Sequence, residues 1–495
     1  MRGNCRTSGT LRKEEGGNVF GLGSRTPIAL TLLIKKPSAE QQKAKIYYYE
    51  IGSFLTKEQK LAELKRLGSV LNEQLQLASI TPSKDHDWIN KRSDIFETFI
   101  SLGDRNGLAI FNIYSLGATT NRDAWMYNFS CNSLKKNVLY MINWCNSYVK
   151  QLETNNISDE TKDKTLCITR GLRKSLMAFH NFHYNANSMQ NAVYRPFIKQ
   201  AYYFNKDFNE YLYKLPQLFP NPQLKNLVIC TPSIGANSFS VLIANEIPDL
   251  HVLESGTQCF PLYYYEVNQT QAGLYETQKD SEYIRHEGIS DFALETAQVL
   301  YGKKVSKEDI FYYIYGLLHS SEYRERFKAD LTKMLPRVAF VEDVKAFKAI
   351  VKIGEKLADL HLNYETAEPY KNVIVTVEQP IYTVEQMRFA RIKDKKGKTV
   401  DDKRTIIVNR YIKIEEIPLQ AYEYIVNGKS PLEWALERYS YTVDKKSGIT
   451  NDPNAWGNEH NNPQYILYLL LKLITVSVET VNLVAKLPKL DFIKD

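Results

Sequence analysis

The sequence predicts an α+β protein in which short strands and amphipathic helices alternate along the chain. Short apolar runs that end in turn residues, such as residues 227–230, are typical of buried strands. Leucines spaced three or four apart, as in residues 57–78, are typical of amphipathic helices. No segment repeats, which argues against a solenoid or a propeller. With 495 residues, the chain has length for roughly two to four domains.

Composition narrows the class of protein only moderately. Apolar residues make up 43% of the chain and charged residues 24%, which are ordinary values for a globular protein. The formal net charge of +8 permits nucleic acid as a partner without requiring it, because the excess is spread thinly. The 33 tyrosines are more unusual, and tyrosine favours wet, adaptable contact surfaces.

Cysteine usage and hydropathy indicate a cytoplasmic protein with no membrane association. The six cysteines are scattered without a CxxC pair, which argues against a zinc ribbon or a disulfide scaffold. The N-terminal residues lack the compact apolar core of a signal peptide. Of the two most apolar stretches, residues 28–34 are too short to span a bilayer, and residues 465–484 are interrupted by Lys472 and Glu479.

The first part of the chain predicts an incomplete sheet. Residues 26–34 are expected to form a strand buried on both faces, and residues 44–49 a second strand. Two strands so close in sequence would form an antiparallel pair, which is not stable alone. The missing neighbours are therefore expected upstream of Met1 or on another chain. An amphipathic helix over residues 57–78 follows.

In the remainder, short strands and turns are predicted to alternate over residues 88–130, and helices and a β-hairpin region are predicted after them. That hairpin region covers residues 382–414, and residues 393–398 form its exposed turn. Helices are expected at residues 134–152, 170–174, 291–300, 307–323, 343–361, 419–426, 431–439 and 463–485.

A stretch in the middle of the chain combines cations, aromatic rings and a polar loop. Arg195 and Lys199 stand among Tyr202 and other tyrosines, a mixture that can bind phosphates while stacking on sugars or bases. The buried strand at residues 227–230 ends in small polar residues, 231–240, from which side chains could reach a ligand. The alternative is that the aromatics form core and the cations a solvated face.

Three motifs resemble catalytic or metal sites but lack essential residues. Gly428-Lys429-Ser430 matches the end of a Walker A loop, yet Glu423 stands where that loop needs glycine. His180 and His183 have no third metal ligand near in sequence. Residues 461–465 resemble the Asn-Pro-Pro-Tyr loop of amino-methyltransferases with glutamine in place of the second proline, and they open a helix. We therefore predict no catalytic residue and no metal site.

Several segments, in order along nearly the whole chain, resemble the C-terminal part of type ISP restriction–modification enzymes, the single-polypeptide ATP-dependent kind. The segments that carry the resemblance are residues 19–29, 46–52, 120–130, 194–204, 260–265, 310–320, 357–364 and 426–434. Enzymes of this family contain a nuclease, a helicase-like ATPase, a coupler, an adenine-N6 methyltransferase and a C-terminal target-recognition domain.

The resemblance implies a division of the chain into two parts. Residues 1–101 would be the tail of the methyltransferase domain, so that the predicted strand pair supplies edge strands of a Rossmann-like sheet. Residues 102–495 would be the target-recognition domain, with 102–300 and 301–495 as possible subdomains. The S-adenosylmethionine-binding glycines, the Asn-Pro-Pro-Tyr loop, the nuclease and the ATPase would lie upstream of Met1. No cofactor is therefore expected for this chain alone, whereas S-adenosylmethionine, ATP and Mg²⁺ are implied for the full-length enzyme.

By this resemblance the expected function is sequence-specific recognition of double-stranded DNA. The residues predicted to bind phosphates are Arg122, Arg173, Lys174, Arg195 and Lys199. Tyr202 would stack, and Asn237 and Ser238 would read base edges in the major groove. Two alternatives stay open: that the chain completes a split DNA methyltransferase together with a separate upstream chain, or that it is an inactive gene remnant.

Overall fold

The computed structural model describes residues 2–5, 9–20, 23–35, 44–104, 107–154, 165–268, 282–395 and 397–492. Over these residues helices and strands alternate along the chain, and the strands form several small sheets. The α+β class predicted from the sequence is confirmed.

The elements of the N-terminal and central parts are mostly short strands, with one long helix among them. In chain order they are α1 (Gly9–Glu15), β1 (Ile46–Tyr48), α2 (Lys57–Leu67), β2 (Ala78–Ile80), α3 (Asp94–Thr98), β3 (Ile100–Ser101), β4 (Ser115–Leu116), α4 (Asp123–Met126), β5 (Tyr127–Asn128), α5 (Cys131–Glu153), α6 (Arg170–Met177), β6 (Met189–Arg195), β7 (Ile198–Tyr203), α7 (Leu215–Leu218), β8 (Val228–Pro232), β9 (Leu242–Ala244), β10 (Ile247–Pro248), β11 (Thr257–Pro261), β12 (Tyr263–Val267) and β13 (Tyr283–Glu287).

The C-terminal part is richer in helix. Its elements are α8 (Asp291–Tyr301), α9 (Lys307–His319), α10 (Ser321–Arg326), α11 (Lys328–Lys333), β14 (Arg337–Val338), α12 (Val344–Leu362), β15 (Ile374–Val377), β16 (Arg388–Lys393), β17 (Thr399–Ile407), β18 (Ile412–Glu415), α13 (Pro431–Arg438), β19 (Thr442–Val443), β20 (Thr450–Asn451), α14 (Asn454–Glu459) and α15 (Tyr465–Val484).

Three four-stranded sheets organise the fold. Their strand orders are β10-β6-β7-β5, β4-β11-β8-β9 and β15-β18-β17-β16. The pairing is antiparallel in all three except between β10 and β6. In the first sheet, β6 turns into β7 through Pro196 and Phe197, and Phe197 adopts a φ of 60° with its ring buried. Residues 194–204, the predicted aromatic stretch, lie around this turn, and all of them are buried or half-buried.

Helix α15 is a core helix of the C-terminal part. Its length and composition would allow it to cross a membrane, but 61% of its most apolar window is buried inside the fold. The helix packs against α12, where the Thr480 hydroxyl lies 2.8 Å from Nε2 of His361. Internal packing therefore accounts for its apolar sequence.

Helices α9 and α12 approach each other so closely that two glycines are needed at their contact. A Cβ built on Gly316 would lie 2.6 Å from the carbonyl oxygen of Ile350, and one built on Gly354 would overlap the carbonyl oxygen of Tyr312. Backbone cannot yield as a flexible side chain does, so the helices would have to separate and lose buried contacts.

We expect Gly354→Ala to lower the free energy of unfolding by roughly 1–3 kcal/mol, as overpacked cores do. Urea unfolding followed by circular dichroism measures this change. Gly171→Ala is the matched control, because the nearest atom to a Cβ there is a carboxylate oxygen of Glu210 at 3.5 Å. Equal effects of the two substitutions would show that the helix contact tolerates a methyl group.

The N-terminal part differs from the sequence prediction. Residues 26–34 form no strand, and Leu30 and Leu33 are exposed, so the predicted buried strand is wrong. The predicted second strand is confirmed as β1, but it pairs antiparallel with β2, in the register Ile46↔Ile80. Helix α2 ends at Gly68, whose φ of 63° breaks the helix eleven residues after it starts. Helical leucine spacing beyond Gly68 was therefore a misleading signal.

A buried lysine ties the first residues to α2. Lys60 has no exposed surface, and its ammonium donates hydrogen bonds to the carbonyls of Gly17 (2.8 Å), Arg2 (3.2 Å) and Glu15. Burial lowers the pKa of Lys60, and the nearby Glu15 carboxylate opposes that shift. The three carbonyls thus solvate a charge that would otherwise be costly to bury.

Most other helices predicted from periodicity are confirmed, with two differences. The predicted helix over 307–323 breaks at Ser320, whose side chain caps α10 by accepting from the Tyr323 amide at 3.3 Å. Only a 3-10 turn, Leu419–Tyr422, occupies the predicted helix over 419–426. The predicted hairpin region is confirmed by β16, β17 and β18.

Candidate nucleic-acid interface

A groove of about 720 Å³ lies between the β16–β17 hairpin and helix α13. Five cations from three segments line it: Lys13 of α1, Arg388, Arg391 and Lys403 of the hairpin, and Lys429 before α13. The turn before α13 and the first residues of the chain close its other sides. Since these segments are far apart in sequence, only the folded chain assembles the groove.

The hairpin beside the groove is strongly basic. Residues 388–404 carry eight lysine and arginine side chains against three aspartates. Arg388 and Arg391 are exposed, and the Arg391 guanidinium is 4.0 Å from the Asp401 carboxylate, a loose pair at an exposed site. Lys396, at the turn, lies outside the described residues. The hairpin therefore presents excess positive charge that its own acids do not neutralise.

The opposite wall is rigid because the turn before α13 is held from both sides. Residues Val426 and Lys429 pair with each other across the turn, and Asn427 and Gly428 have φ values of 52° and 82°. Trp434 of α13 donates from its indole to the Val426 carbonyl at 2.8 Å, and the Lys429 ammonium lies 4.5 Å from the Trp434 ring centre. The lysine is thus held in place by a cation–π contact.

Helix α13 begins with a capping box that uses one groove carboxylate. Ser430 accepts from the Glu433 amide, and the Glu433 carboxylate accepts from the Ser430 amide at 2.9 Å. Lys403 of β17 donates to the same carboxylate at 2.9 Å. Burial raises the pKa of Glu433, but these hydrogen bonds outweigh burial and lower it. Glu433 therefore serves the structure of the groove.

The polar loop predicted to read bases lies next to this wall. Ser240 accepts from the Asn427 amide at 2.9 Å, which joins the loop to the turn before α13. Asn237 is exposed, accepts from the Asn4 side chain at 2.9 Å and donates to the Glu254 carboxylate. Ser238 is half-buried. Both residues therefore stand at the surface where the first residues of the chain meet the central sheets.

Arg195, predicted to bind phosphates, is instead held inside the fold. Its guanidinium donates to the Asp249 carboxylate at 2.7 Å, and only 11% of its side chain is exposed. The guanidinium also stacks on Tyr194, 4.0 Å from the ring centre. In this structure Arg195 neutralises a buried acid, and its charge is not available to a phosphate.

Lys199 and Tyr202 also have internal partners. Lys199 lies 2.9 Å from the Glu365 carboxylate and 3.8 Å from that of Glu246. Burial lowers the pKa of Lys199, but the two carboxylates outweigh burial and raise it. Tyr202 is fully buried, stacks on Tyr127 at 4.5 Å between ring centres and donates to Asn209 at 2.5 Å. The alternative that the aromatics of this stretch are core is the one the structure supports.

Of the other three predicted phosphate ligands, Arg122 is buried, whereas Arg173 and Lys174 are on the surface. Arg122 is buried, and its Nη2 donates to the Thr169 hydroxyl at 2.8 Å. Burial lowers the pKa of Arg122. Arg173 and Lys174 are exposed on α6, which packs on α5 and contributes no residue to the groove. The eight predicted residues thus do not form one surface, and DNA contact by any of them remains a prediction.

The hairpin cations are the residues that the sequence interpretation missed. The density of lysine and arginine over residues 388–404 was visible, but it indicated only an exposed turn. A charge run is usually a solvated face, and nothing in the sequence shows that α13 and Lys13 close a groove beside it.

The fold is similar to that of restriction–modification enzymes. A nuclease-deletion mutant of the Type ISP enzyme LlaGI, in complex with a DNA substrate mimic, matches with a TM-score of 0.83 and 36% identity over 99% of this chain. The ATP-dependent Type ISP enzyme LlaBIII bound to DNA matches with a TM-score of 0.84 and 32% identity, and DrdV in a DNA complex with 0.80 and 29%, each over 99% of this chain. No curated protein sequence matches.

More narrowly, the chain belongs to the family of Type ISP C-terminal specificity domains, which its residues 109–469 match. The resemblance found in the sequence is confirmed. The chain spans 36% of the matched LlaGI chain, 30% of LlaBIII and 47% of DrdV.

Proposed function

We propose that this chain recognises a specific double-stranded DNA sequence for a Type ISP restriction–modification system, and that DNA lies along the basic groove. Membership of the specificity-domain family supports target recognition. The similar structures of LlaGI, LlaBIII and DrdV were all determined with DNA or a DNA mimic. The buried positions of Arg122, Arg195 and Tyr202 move the proposed interface away from the residues first predicted.

The observation that carries the proposal is the groove between the basic hairpin and α13. The major groove of B-DNA is about 12 Å wide and admits a two-stranded β-ribbon. Hairpin β16–β17 is such a ribbon, with exposed cations that can pair with phosphates and release counterions. The adjoining turn and loop, with Lys429 and Asn237, supply polar side chains for base edges.

We further propose that residues 1–101 belong to the methyltransferase part and residues 102–495 to the target-recognition part. The separate β1–β2 pair supports this division, because it stands apart from the three four-stranded sheets. The adenine-N6 chemistry, with its S-adenosylmethionine, ATP and Mg²⁺, would then be supplied by segments outside this chain. This chain alone would bind DNA without a cofactor.

Binding of the purified chain to a randomised duplex pool near physiological salt, with sequencing of the retained DNA, tests the proposal. Enrichment of one short site is expected. Retention of DNA without enrichment would reduce the groove to a non-specific basic surface. No retention would contradict recognition of DNA by this chain and would favour the alternatives: a chain that acts only together with the methyltransferase part, or an inactive remnant.

Asn237→Ala is expected to relax one position of the selected site by ~1–3 kcal/mol, because asparagine can pair with adenine through two hydrogen bonds. The pool experiment, repeated with the variant, measures the loss at each position. Asn245→Ala, also at an exposed asparagine but outside the polar loop of residues 231–240, is the control. An unchanged site for Asn237→Ala would remove this residue from the base-reading surface.

A second candidate function is completion of a split DNA methyltransferase. The supporting observation is the exposed apolar segment that contains Leu30, Leu32 and Leu33 and precedes the short β1–β2 pair in the chain. A partner chain that covered these leucines would remove apolar surface from water. Co-purification with a chain encoded upstream, and its loss after Leu32→Asp and Leu33→Asp, would support this function. A monodisperse monomer that binds DNA unaided would count against it.

A further inference from the structure

The lining of the groove contains carboxylates as well as cations. A surface that bound only phosphates would be expected to lack carboxylates. Asp401, Glu433 and Glu437 line the groove together with the five cations. A carboxylate that faces a phosphate is repelled, so each of the three needs another explanation. Glu433 has one, because its carboxylate completes the cap of α13. Asp401 lies opposite Arg391 in the exposed hairpin.

Glu437 has the position and rigidity of a side chain that contacts a ligand. It is in the last turn of α13, and 42% of its side chain is exposed. Its carboxylate pairs with the Lys429 ammonium, and Nη2 of Arg438 lies 3.0 Å away. Lys429 is itself fixed on the Trp434 ring. The carboxylate therefore points from a rigid helix and is held by two cations, as a pre-organised site requires.

The chemistry of base edges indicates what such a carboxylate can bind. Phosphates and sugar–phosphate oxygens offer it no donor, and guanine O6, guanine N7 and thymine O4 are acceptors that repel it. In the major groove the available donors are the exocyclic amino groups of cytosine (N4) and adenine (N6). Lys429 beside it is a donor, suited to an acceptor on a neighbouring base or to a phosphate.

We propose that Glu437 is a specificity-determining residue that accepts a hydrogen bond from the exocyclic amino group of one cytosine or adenine in the DNA target. The proposal rests on the proposed function, since it requires DNA in the groove. It assigns Lys429 and Arg438 as positioning residues that hold the carboxylate. It gives a function to an acid in the last turn of a helix, where the helix dipole disfavours a negative charge.

Selection from a randomised duplex pool by the parent chain, Glu437→Gln, Glu437→Ala and Glu355→Gln tests this inference. The parent is expected to prefer cytosine or adenine at one position, and the sequenced pool distinguishes the two bases. Both Glu437 variants should lose roughly tenfold or more of that preference while other positions keep theirs. Glu355→Gln, which removes an exposed carboxylate of α12 outside the groove lining, should leave every position unchanged.

The outcomes separate this inference from the proposed function. If the parent selects no site, the proposed function fails. If the parent selects a site and both Glu437 variants select it with unchanged discrimination at every position, the function stands and the inference is overturned. A fall in melting temperature without a change of preference would likewise identify Glu437 as a structural ion-pair partner only.

Discussion

Arg195→Ala is expected to destabilise the fold, by about 3–5 kcal/mol, the size seen when one partner of a buried ion pair is removed. The Arg195 guanidinium donates to the Asp249 carboxylate at 2.7 Å, and 3% of the Asp249 side chain is exposed. Asp249 also accepts from the Tyr127 hydroxyl at 3.1 Å and the His251 amide at 2.8 Å. Without the guanidinium, a buried carboxylate would retain only neutral partners.

The loss should depend on pH in a defined direction. Burial raises the pKa of Asp249, and the Arg195 guanidinium opposes that shift. Removal of Arg195 leaves the pKa higher still, so the folded variant holds its proton to higher pH than the unfolded chain does. The stability of the variant must then fall as pH rises through that folded pKa. We expect the deficit relative to the parent to be largest at neutral pH and to shrink in acid.

Urea unfolding of Arg195→Ala, at neutral and acid pH, measures both effects. The double variant Arg195→Met with Asp249→Asn removes both charges and should recover a large part of the loss. A variant as stable as the parent that binds all DNA sequences more weakly, with a lower salt slope, would restore Arg195 as a phosphate ligand. That was the outcome predicted from the sequence alone.

The helices could be predicted from sequence because their signal is local. Helix α12 has apolar residues at helical spacing and an aspartate cap at Asp343, and the structure confirms it nearly to the residue. The strand predicted over residues 26–34 failed because an apolar run does not specify its own partner. Its leucines face solvent, since no strand among the described residues covers them.

The candidate site was harder to predict because a cation's role depends on partners distant in sequence. Arg195 and Asp249 are 54 positions apart, and Lys199 and Glu365 are farther still, so only the fold shows that these charges are internally paired. For residues 388–404 the positive charge was evident in the sequence. The sequence did not show that α13 and Lys13 lie opposite them and complete the groove. The family could therefore be predicted from the sequence, whereas the cations available to bind DNA could be identified only from the ion pairs in the folded structure.

The double substitution Arg388→Gln and Arg391→Gln is expected to weaken binding of all DNA sequences alike, by about tenfold or more near physiological salt. Both arginines line the groove and are exposed, and Arg391 is 72% exposed in its side chain. If each neutralises one phosphate, the slope of log K against log salt should fall by about 2. Because neither side chain is buried, the free energy of unfolding should stay within about 0.5 kcal/mol.

Arg173→Gln with Lys174→Gln is the matched control, because it removes the same charge from exposed residues of α6, outside the groove lining. Titration of both double variants against the selected site and a scrambled duplex, at several salt concentrations, compares the two surfaces. General electrostatic attraction would weaken both variants equally with little change in slope. A larger loss for the α6 variant would place the DNA backbone on α6, as first predicted from the sequence. A larger loss of affinity for the hairpin variant, equal on both duplexes, would place the DNA backbone along β16 and β17. Discrimination between sequences would then depend on the turn and loop on the opposite wall.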